Sequence, residues 1–316
     1  MMAATGNDNV EWYTYTGASD EVVPEEATHI IVAEDCTVIL AWKFCEHPNV
    51  VEVICHENVV KIEKEAFCNA VTLRRIVMRG VKIIEEYAFF SCKALRDVEC
   101  DKLEIIGGDA FVYCKSLRSI DLSTVRVVGK ESGSPYASRL DEFQGAFYKC
   151  TALTAVKFGN NLERIESEAF YECSSLERIT IPLKDGIVAV DDIFQACDNL
   201  DHVDLVEGEL HETVAALQLE EWRNDMNAEI HSINQILPNA SPGSYIGYAN
   251  WDDWDEGGKA VAIRRWIRSV LRKIVRYQQE HLLVLEDDIA TTLHHVLPQD
   301  VVTNNVLPFL DLPPHI

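Results

Sequence analysis

The sequence predicts an α/β solenoid, a stack of short parallel β-strands, followed by an α-helical C-terminal region. Three observations lead to this fold class. A phrase of the form A-F-x-x-C-x-x-L-x-x-I-x-Φ, in which Φ is apolar, recurs five times or more. Each copy ends in an apolar–x–apolar triplet, and this two-residue period is typical of a short strand. After residue 206 the phrase stops, and apolar residues recur at helical spacing instead.

The repeated unit is about 22 residues long and is anchored by one phenylalanine. Successive anchors are separated by 23, 22, 22, 36, 23 and 24 residues, and they are Phe44, Phe67, Phe89, Phe111, Phe147, Phe170 and Phe194. A unit this short cannot bury its apolar face alone, but units stacked about 4.8 Å apart share a continuous core. In each unit we expect a strand, a return segment with a second apolar stretch, and an acidic turn of helix before the phenylalanine.

Ten cysteines lie between Cys36 and Cys197. Five of them stand three residues after an anchoring phenylalanine: Cys92, Cys114, Cys150, Cys173 and Cys197. Because this spacing repeats with the unit, we expect these cysteines to be small buried apolar residues. No pair has the CxxC spacing of a zinc site, and no secretory signal supports a disulfide framework.

The phrase resembles the BspA-type leucine-rich repeat, whose units read roughly I-x-x-x-A-F-x-x-C-x-x-L-x-x-I-x-Φ. The resemblance covers about residues 28–206, with five close copies and weaker copies at both ends; His47, for example, stands at a cysteine position. It implies a protein-recognition scaffold and no catalytic residues. We therefore divide the chain into an N-terminal segment (1–27), a right-handed leucine-rich repeat solenoid of about seven units (28–206) and an α-helical region (207–316).

The solenoid predicts a solvent-exposed strand face that could bind a partner protein. The middle residue of each triplet faces solvent, and the two residues before the strand flank this surface. The candidate protein-binding residues are Arg74, Arg75, Val77, Arg96, Asp97, Glu99, Arg118, Asp121, Lys157, Arg178, Thr180 and Asp204. Arg74, Arg96 and Arg118 share one position in consecutive units, which predicts a ladder of positive charge. Two interpretations remain open: a solvated charged face, or a docking surface for a segment of complementary charge.

The long interval between Phe111 and Phe147 carries about 14 extra residues within 128–144. Glycine, serine and proline in VGKESGSPYASRLDEFQ predict a loop that protrudes from one edge of the stack. Such a loop can be functional or simply a tolerated insertion.

The C-terminal region predicts helices with one basic row. Apolar spacing within 209–237 indicates a helix that ends at Pro238, and a further helix is expected from Glu286. Between them, the acid-free stretch 259–276 predicts a helix with arginines four residues apart: Arg264, Arg268, Arg272 and Arg276. Three interpretations remain open for this row: it docks on acids of the same chain, binds an external acidic or calmodulin-like partner, or lies on an anionic membrane.

Composition and charge restrict the class of partner. The formal net charge is −24, which opposes nucleic-acid binding. No apolar run reaches the roughly 20 residues that span a bilayer, and the N-terminus resembles no secretory signal. We therefore expect an intracellular, cytoplasmic protein that binds neither nucleic acid nor membrane.

No motif predicts catalysis, a cofactor or a metal. HETVA at His211 begins like a helical zinc motif, but Ala215 stands where the second histidine is required. Nucleotide-binding and nucleophile-elbow motifs are absent from the sequence. We therefore expect a non-catalytic protein-interaction or scaffold module without a cofactor. Two alternatives remain: the C-terminal region could carry an adaptor or enzymatic activity with the repeats as its targeting domain, or the protein could be a structural subunit of a larger assembly.

Overall fold

The computed structural model describes residues 12–130, 145–206, 220–240 and 258–294 of the 316-residue chain. These residues form a parallel-strand β-solenoid of about seven turns, followed by two α-helices. The predicted fold class is therefore confirmed.

The strands that end each repeated phrase pair in parallel and in register, and they form one face of the solenoid, which we call the strand face. Its first sheet contains β1 (Trp12–Tyr15), β2 (His29–Val32), β4 (Glu52–Ile54), β6 (Arg75–Val77) and β8 (Asp97–Glu99). Its second sheet contains β10 (Ser119–Leu122), β12 (Ala155–Phe158), β14 (Arg178–Ile181) and β15 (His202–Leu205).

The return segments form a third parallel sheet on another side of the solenoid. Its strands are β3 (Val38–Ile39), β5 (Lys61–Ile62), β7 (Ile83–Ile84), β9 (Ile105–Gly107), β11 (Val127–Lys130) and β13 (Arg164–Ile165). The sheet continues without interruption past the point where the strand face divides into two sheets. The return side therefore holds the two parts of the strand face together.

The seven anchoring phenylalanines stack in one column inside the solenoid, as the spacing predicts. Neighbouring ring centroids are 4.9 to 5.7 Å apart, and their planes differ by 1° to 18°. Each ring is at most 1% exposed. Leucines six residues later, from Leu73 to Leu200, are also fully buried and belong to the same apolar core.

Each phenylalanine lies in a corner built from turns, so the predicted turn of helix is wrong. Glu65 and Asn69, which flank Phe67 two residues to either side, have φ values of 56° and 57°, in the left-handed region. These conformations direct backbone groups towards the next unit: Phe67 N–H donates to Ala88 O, and Asn69 N–H to Phe90 O, both at 2.8 Å. A helical turn would bond within its own unit, whereas these corners extend the ladder between units.

The cysteine column is buried as predicted, and its thiols also donate hydrogen bonds. In five units the cysteine Sγ lies 3.0 to 3.2 Å from the carbonyl oxygen of the anchoring phenylalanine in the preceding unit. All ten cysteines are free. Burial raises the pKa of Cys197 to about 12, so its thiol keeps the donated proton at neutral pH.

The stack includes one strand ahead of residue 28. β1 pairs in register with β2, with Trp12 beside His29. The side chains of WYTY alternate between outward and inward positions, as in a strand, and Tyr13 and Tyr15 occupy the two inward positions. The following turn is fixed by Glu21, whose carboxylate accepts the Tyr13 hydroxyl at 2.9 Å.

The predicted loop at 128–144 begins as a strand. Residues 128–130 belong to β11, which pairs with β9 and β13 and shifts register between Val128 and Lys130. This part of the loop prediction is wrong because the segment has a partner on both sides. Residues 131–144 lie outside the described residues, and there the protruding loop stays a prediction.

The C-terminal region contributes α1 (Glu220–Ile236), a 3-10 turn (Leu237–Asn239) and α2 (Lys259–His294). The predicted helix end at Pro238 is confirmed, whereas 209–219 lie outside the described residues. The prediction of a separate helix from Glu286 is wrong, because α2 continues through that residue. Neither glycine nor proline interrupts α2, so nothing in its sequence required an end there.

Candidate protein-binding surface

Each strand of the strand face contributes two outward residues, because side chains alternate along a strand and the strands pair in register. The first outward column contains Trp12, His29, Glu52, Arg75, Asp97, Ser119, Ala155, Arg178 and His202. The second contains Thr14, Ile31, Ile54, Val77, Glu99, Asp121, Lys157, Thr180 and Asp204. The residue before each strand forms an outer flank beside the first column.

Arg74, Arg96 and Arg118 lie on this outer flank in three consecutive units, and all three are exposed. Arg96 N–H donates to Arg74 O at 2.9 Å, so these two residues are direct neighbours in the stack. Within the described ranges, none of the three arginines takes part in an ion pair. We call this set the arginine ladder, and it is a row of positive charge that the described chain does not neutralise.

Two other predicted arginines are neutralised by acids of the same face. Arg75 pairs with Glu52 and, at 2.5 Å, with Glu99. Glu99 also accepts a hydrogen bond from Arg79 at 2.8 Å, and the bonds from Arg79 and Arg75 lower the pKa of this carboxyl.

Arg178 pairs with Asp204 at 2.6 Å. Because both partners of such exposed pairs are already solvated and compensated, they offer little net charge to a binding partner. Arg75, Glu99, Arg178 and Asp204 are therefore internal neighbours on the face rather than uncompensated charges.

The remaining predicted charged residues are exposed. Asp97, Asp121 and Lys157 all face solvent, and Thr180 is half-buried. Asp121 Oδ1 accepts the Ser123 N–H at 2.9 Å, which holds its carboxylate at the end of β10.

An aliphatic stripe occupies the second column in the first sheet. Ile31 is 41% exposed, Ile54 is half-buried and Val77 is 9% exposed. Only Val77 belongs to the residues predicted for the site. Ile31 is the middle residue of the triplet in β2, so the repeat itself predicts that its side chain faces outward. The candidate protein-binding residues did not include any from that unit.

The strand face divides between β8 and β10, and a notch opens on the surface there. Its floor is apolar and includes Val98, Ile120 and Val156, and its rim includes Lys157 and Arg178. The same two units remain joined on the return side, where Ile83 and Ile105 pair through β7 and β9. The strand pairing is therefore interrupted on the strand face but not on the return side, and we call this interruption the wedge.

The wedge changes the burial of β8. Val98 of β8 and Cys100, which follows the strand, are the two inward residues of this unit and are half-buried, whereas Ile76 and Met78 of the preceding unit are fully buried. The thiol of Cys100 reaches Asp121 O at 3.5 Å across the gap. Sequence reasoning missed the notch, because the triplet of β8 keeps the same apolar pattern as its neighbours.

Two arginines of the basic row of α2, Arg264 and Arg268, dock on acids of the same chain at the C-terminal end of the solenoid, whereas Arg276 pairs with Glu280 of its own helix at 3.4 Å. Arg264 donates to Val188 O at 2.7 Å and pairs with Asp191, and Arg268 pairs with Asp185 at 2.9 Å. The hydrogen bond from Arg268 lowers the pKa of Asp185. Of the three interpretations for this row, these contacts favour internal docking.

α1 and α2 pack against each other, and α1 also packs against the last strand. Trp222 and Tyr277 stack with ring centroids 5.0 Å apart, and Lys273 pairs with Asp225 and Glu229 at 2.9 and 2.7 Å. α1 also contacts β15. The two helices therefore form an end cap on the solenoid.

Neither a membrane-spanning helix nor a cluster of metal ligands is found in the part of the chain that the structure describes. Its helices do not combine the length and apolarity required to cross a membrane. The described side chains include no group of three or more histidine, cysteine, aspartate or glutamate residues that could hold a metal ion.

A stacked solenoid with a buried phenylalanine in each unit, and buried cysteine and leucine columns through most of its units, defines a leucine-rich repeat protein. The chain belongs to the family with a BspA type leucine-rich repeat region, whose model matches residues 25–132 and 143–216 in six copies. Among proteins of curated function, none matches this sequence.

Three solved structures are similar to the chain. A leucine-rich repeat protein from Bacteroides ovatus shares 24% identity (TM-score 0.46), over 58% of this chain and 43% of that chain. A leucine-rich cell surface protein from Faecalibacterium prausnitzii shares 21% identity (TM-score 0.42), over 62% and 48%. The leucine-rich repeat protein of T. pallidum shares 22% identity (TM-score 0.40), over 57% and 83%.

The chain matches less than half the length of the first two proteins.

Proposed function

We propose that this protein is a non-catalytic interaction module that binds a segment of a partner protein on its strand face. The observation that carries the proposal is the arginine ladder, three exposed arginines on consecutive units without an ion pair in the described ranges. Like charges held one unit apart repel each other, so the ladder favours a partner that supplies negative charge. Leucine-rich repeat proteins are in general interaction or scaffold modules, which supports this role.

The charge of the rest of the chain would make such binding selective. With a formal net charge of −24, most of the surface repels an acidic segment, and the ladder is a local exception. Electrostatic attraction would therefore orient the partner towards the ladder before close contacts form.

We further propose that the solenoid, and not the C-terminal region, carries the binding. Arg264 and Arg268 are already occupied by acids of the last unit, which leaves the basic row less able to attract an external partner. The helices would then serve to close the end of the stack.

The test is reversal of the ladder with Arg74→Glu, Arg96→Glu and Arg118→Glu in the full chain. Affinity capture from cells of the source organism, followed by mass spectrometry, is expected to recover a partner with the wild-type protein and to lose it with this variant. The melting temperature should stay nearly the same, because exposed charges without partners contribute little to stability.

A matched control reverses Lys93, Lys115 and Lys102 to glutamate. These lysines are exposed and lie outside the strands of the strand face, so the control makes the same change in net charge elsewhere. The control should retain the partner. Equal capture by the ladder variant and the wild-type protein would exclude this face as the binding site.

A further inference from the structure

We infer that the notch between β8 and β10 is an anchor site for one large apolar side chain of an acidic segment, whose carboxylates pair with Arg96 and Arg118. This inference rests on the proposed function of the strand face. It adds the position at which the segment is held and the chemistry that the segment must carry.

The apolar character of the notch follows from the wedge. Val98 is half-buried, although the residues at the same position in the adjoining units, Ile76 and Ile120, are 0% and 4% exposed. The floor of the notch thus exposes part of Val98, a core residue that other units cover with a paired strand. A side chain that covered this floor would gain the free energy of apolar burial that the divided sheet leaves unused.

The size of the notch follows from two small residues in the first outward column. Ser119 and Ala155 stand between Asp97 and Arg178, where the neighbouring units place longer side chains. Both small residues line the notch. Together with the gap between the sheets, they leave room for a leucine or an aromatic ring, the side chains that most often anchor interfaces in a pocket.

The preference for an acidic segment follows from the groups beside the notch. Arg96, Arg118 and Lys157 are exposed and form no ion pair with a described residue. The exposed acids Asp97, Asp101 and Asp121 lie in the same units, but none of them pairs with these cations among the described residues, so both guanidinium groups stay open to a carboxylate of the partner.

A backbone donor adds to this preference. In the adjoining units the N–H of the flank residue donates to the preceding unit, from Arg96 to Arg74 O at 2.9 Å and from Thr154 to Arg118 O at 2.8 Å. No such bond joins Arg118 to Arg96 in the described structure. The Arg118 N–H therefore has no backbone acceptor in the described structure, and a carboxylate of the bound segment could accept from it.

The experiment uses a random displayed peptide library selected on the full chain. Enriched peptides are expected to carry aspartate or glutamate around one phenylalanine, leucine, isoleucine or tryptophan. Their affinity is then measured by fluorescence anisotropy against four proteins: the wild type, Ala155→Trp, Arg96→Glu with Arg118→Glu, and the control Lys93→Glu with Lys115→Glu. Ser119→Trp provides a second variant that fills the notch from its other side.

Filling the notch or reversing the two arginines should each weaken binding by about 30-fold, and the control should bind like the wild type. Unchanged melting temperatures will show that the variants are folded. Enrichment of peptides without acids, or no enrichment at all, would overturn the inference.

Failure of the notch can be distinguished from failure of the strand face. Peptides that bind Ala155→Trp and Ser119→Trp normally but lose affinity for the arginine variant would remove the anchor site and leave the proposed function intact. Peptides that bind every variant equally would contradict both.

Discussion

At the scale of the single residue, a cysteine in the repeat combines two properties. Its volume suits a narrow interior column, and its thiol donates to a carbonyl oxygen of the preceding unit, as Cys114 Sγ does to Phe89 O at 3.2 Å. Alanine would leave a small void and remove the donor. Ala70 holds this position in the second unit, so that unit lacks the thiol bond.

Replacing Cys114 by alanine should lower the free energy of unfolding by about 1–3 kcal/mol, because both the buried sulfur and its hydrogen bond are lost. Urea denaturation followed by circular dichroism measures the change. Cys45→Ala is the control, since Cys45 is only half-buried and stands outside the column. Equal stability of the Cys114 variant and the wild type would show that the thiol column is dispensable.

Asp109 predicts a pH dependence of stability. It is 5% exposed, and its Oδ1 has no hydrogen-bond partner in the described structure. Burial raises the pKa of this carboxyl to about 7, against an ordinary value of 3.8. The folded state therefore holds a proton that the unfolded state releases above about pH 4, and the contribution of Asp109 to stability falls as the pH rises from about 4 to about 7.

Asp109→Asn should remove this dependence. Asparagine has nearly the same shape and tolerates the left-handed φ of 57° found at this position. Between about pH 5 and pH 8 the variant should gain stability relative to the wild type, on the order of 2 kcal/mol. Chemical denaturation at both pH values provides the measurement, and a difference that did not change with pH would contradict the assignment.

The buried columns could be predicted from the sequence, but the hydrogen bonds within them could not. Phe67 and Cys92 recur at a fixed spacing, so their stacking follows from the repeat alone. The thiol bond depends on the distance between a side chain in one unit and a carbonyl oxygen in another. Asp109 stands two residues before its phenylalanine, a position that the half-buried Glu65 and Glu168 hold in other units, so its full burial depends on its surroundings rather than on the pattern.

At the scale of the element, the corners show how this repeat uses strained backbone. Non-glycine residues adopt positive φ beside several anchoring phenylalanines, and each costs about 1–2 kcal/mol relative to the right-handed region. The hydrogen bonds between units offset this cost, because Glu46 N–H donates to Cys68 O at 2.7 Å. Because such bonds hold the residue at positive φ, glycine, which adopts positive φ readily, is suited to this position.

Glu46→Gly should therefore stabilise the protein by about 0.5–1 kcal/mol relative to Glu46→Ala. Glu46 is exposed and has a φ of 57°, so the comparison isolates the backbone conformation. Thermal denaturation of the two variants measures the difference. If the alanine variant were the more stable of the two, the left-handed corner would not be the source of the strain.

The sequence predicts strands better than it predicts corners or gaps. A triplet such as that of β6 has a clear two-residue period, whereas an acidic, alanine-containing corner has the composition of a helix and the conformation of a turn. The notch follows from small residues at 119 and 155 together with a divided sheet. Only the small residues can be read from the sequence, so this part of the candidate site required the structure.

At the scale of the whole molecule, a solenoid must satisfy the groups at its two ends, where no further unit follows. At the N-terminal end Tyr15 packs edge-on against Phe44, with ring centroids 5.3 Å apart, and begins the aromatic column. At the other end the helices close the stack, and Asn234 Oδ1 accepts the Val203 N–H at 2.9 Å. The basic composition of 259–276 indicated a contact with acids, but it did not indicate that these acids belong to the last unit of the solenoid.

Lys259 replaces a contact that the next unit would have made. Inside the stack, Thr72 donates its hydroxyl to Pro48 O and Val50 O of the preceding unit at 3.2 and 2.8 Å. In the last unit the equivalent carbonyl oxygens belong to Asp198 and Leu200, and Lys259 Nζ donates to both, at 2.9 and 2.5 Å. Lys259 is 3% exposed, so no water could replace it easily.

Lys259→Met should therefore weaken the cap by about 2 kcal/mol, because the buried Leu200 O and the partly buried Asp198 O lose their donor while the apolar stem is retained. Units of a solenoid are stabilised mainly by their neighbours, so the damage should stay local. Hydrogen exchange by mass spectrometry should show lost protection in β15 and unchanged protection in β4. Arg265→Met, an exposed position on the same helix, should leave both strands protected. Protection of β15 that survived Lys259→Met would mean that the apolar contacts of the helices close the stack without this lysine.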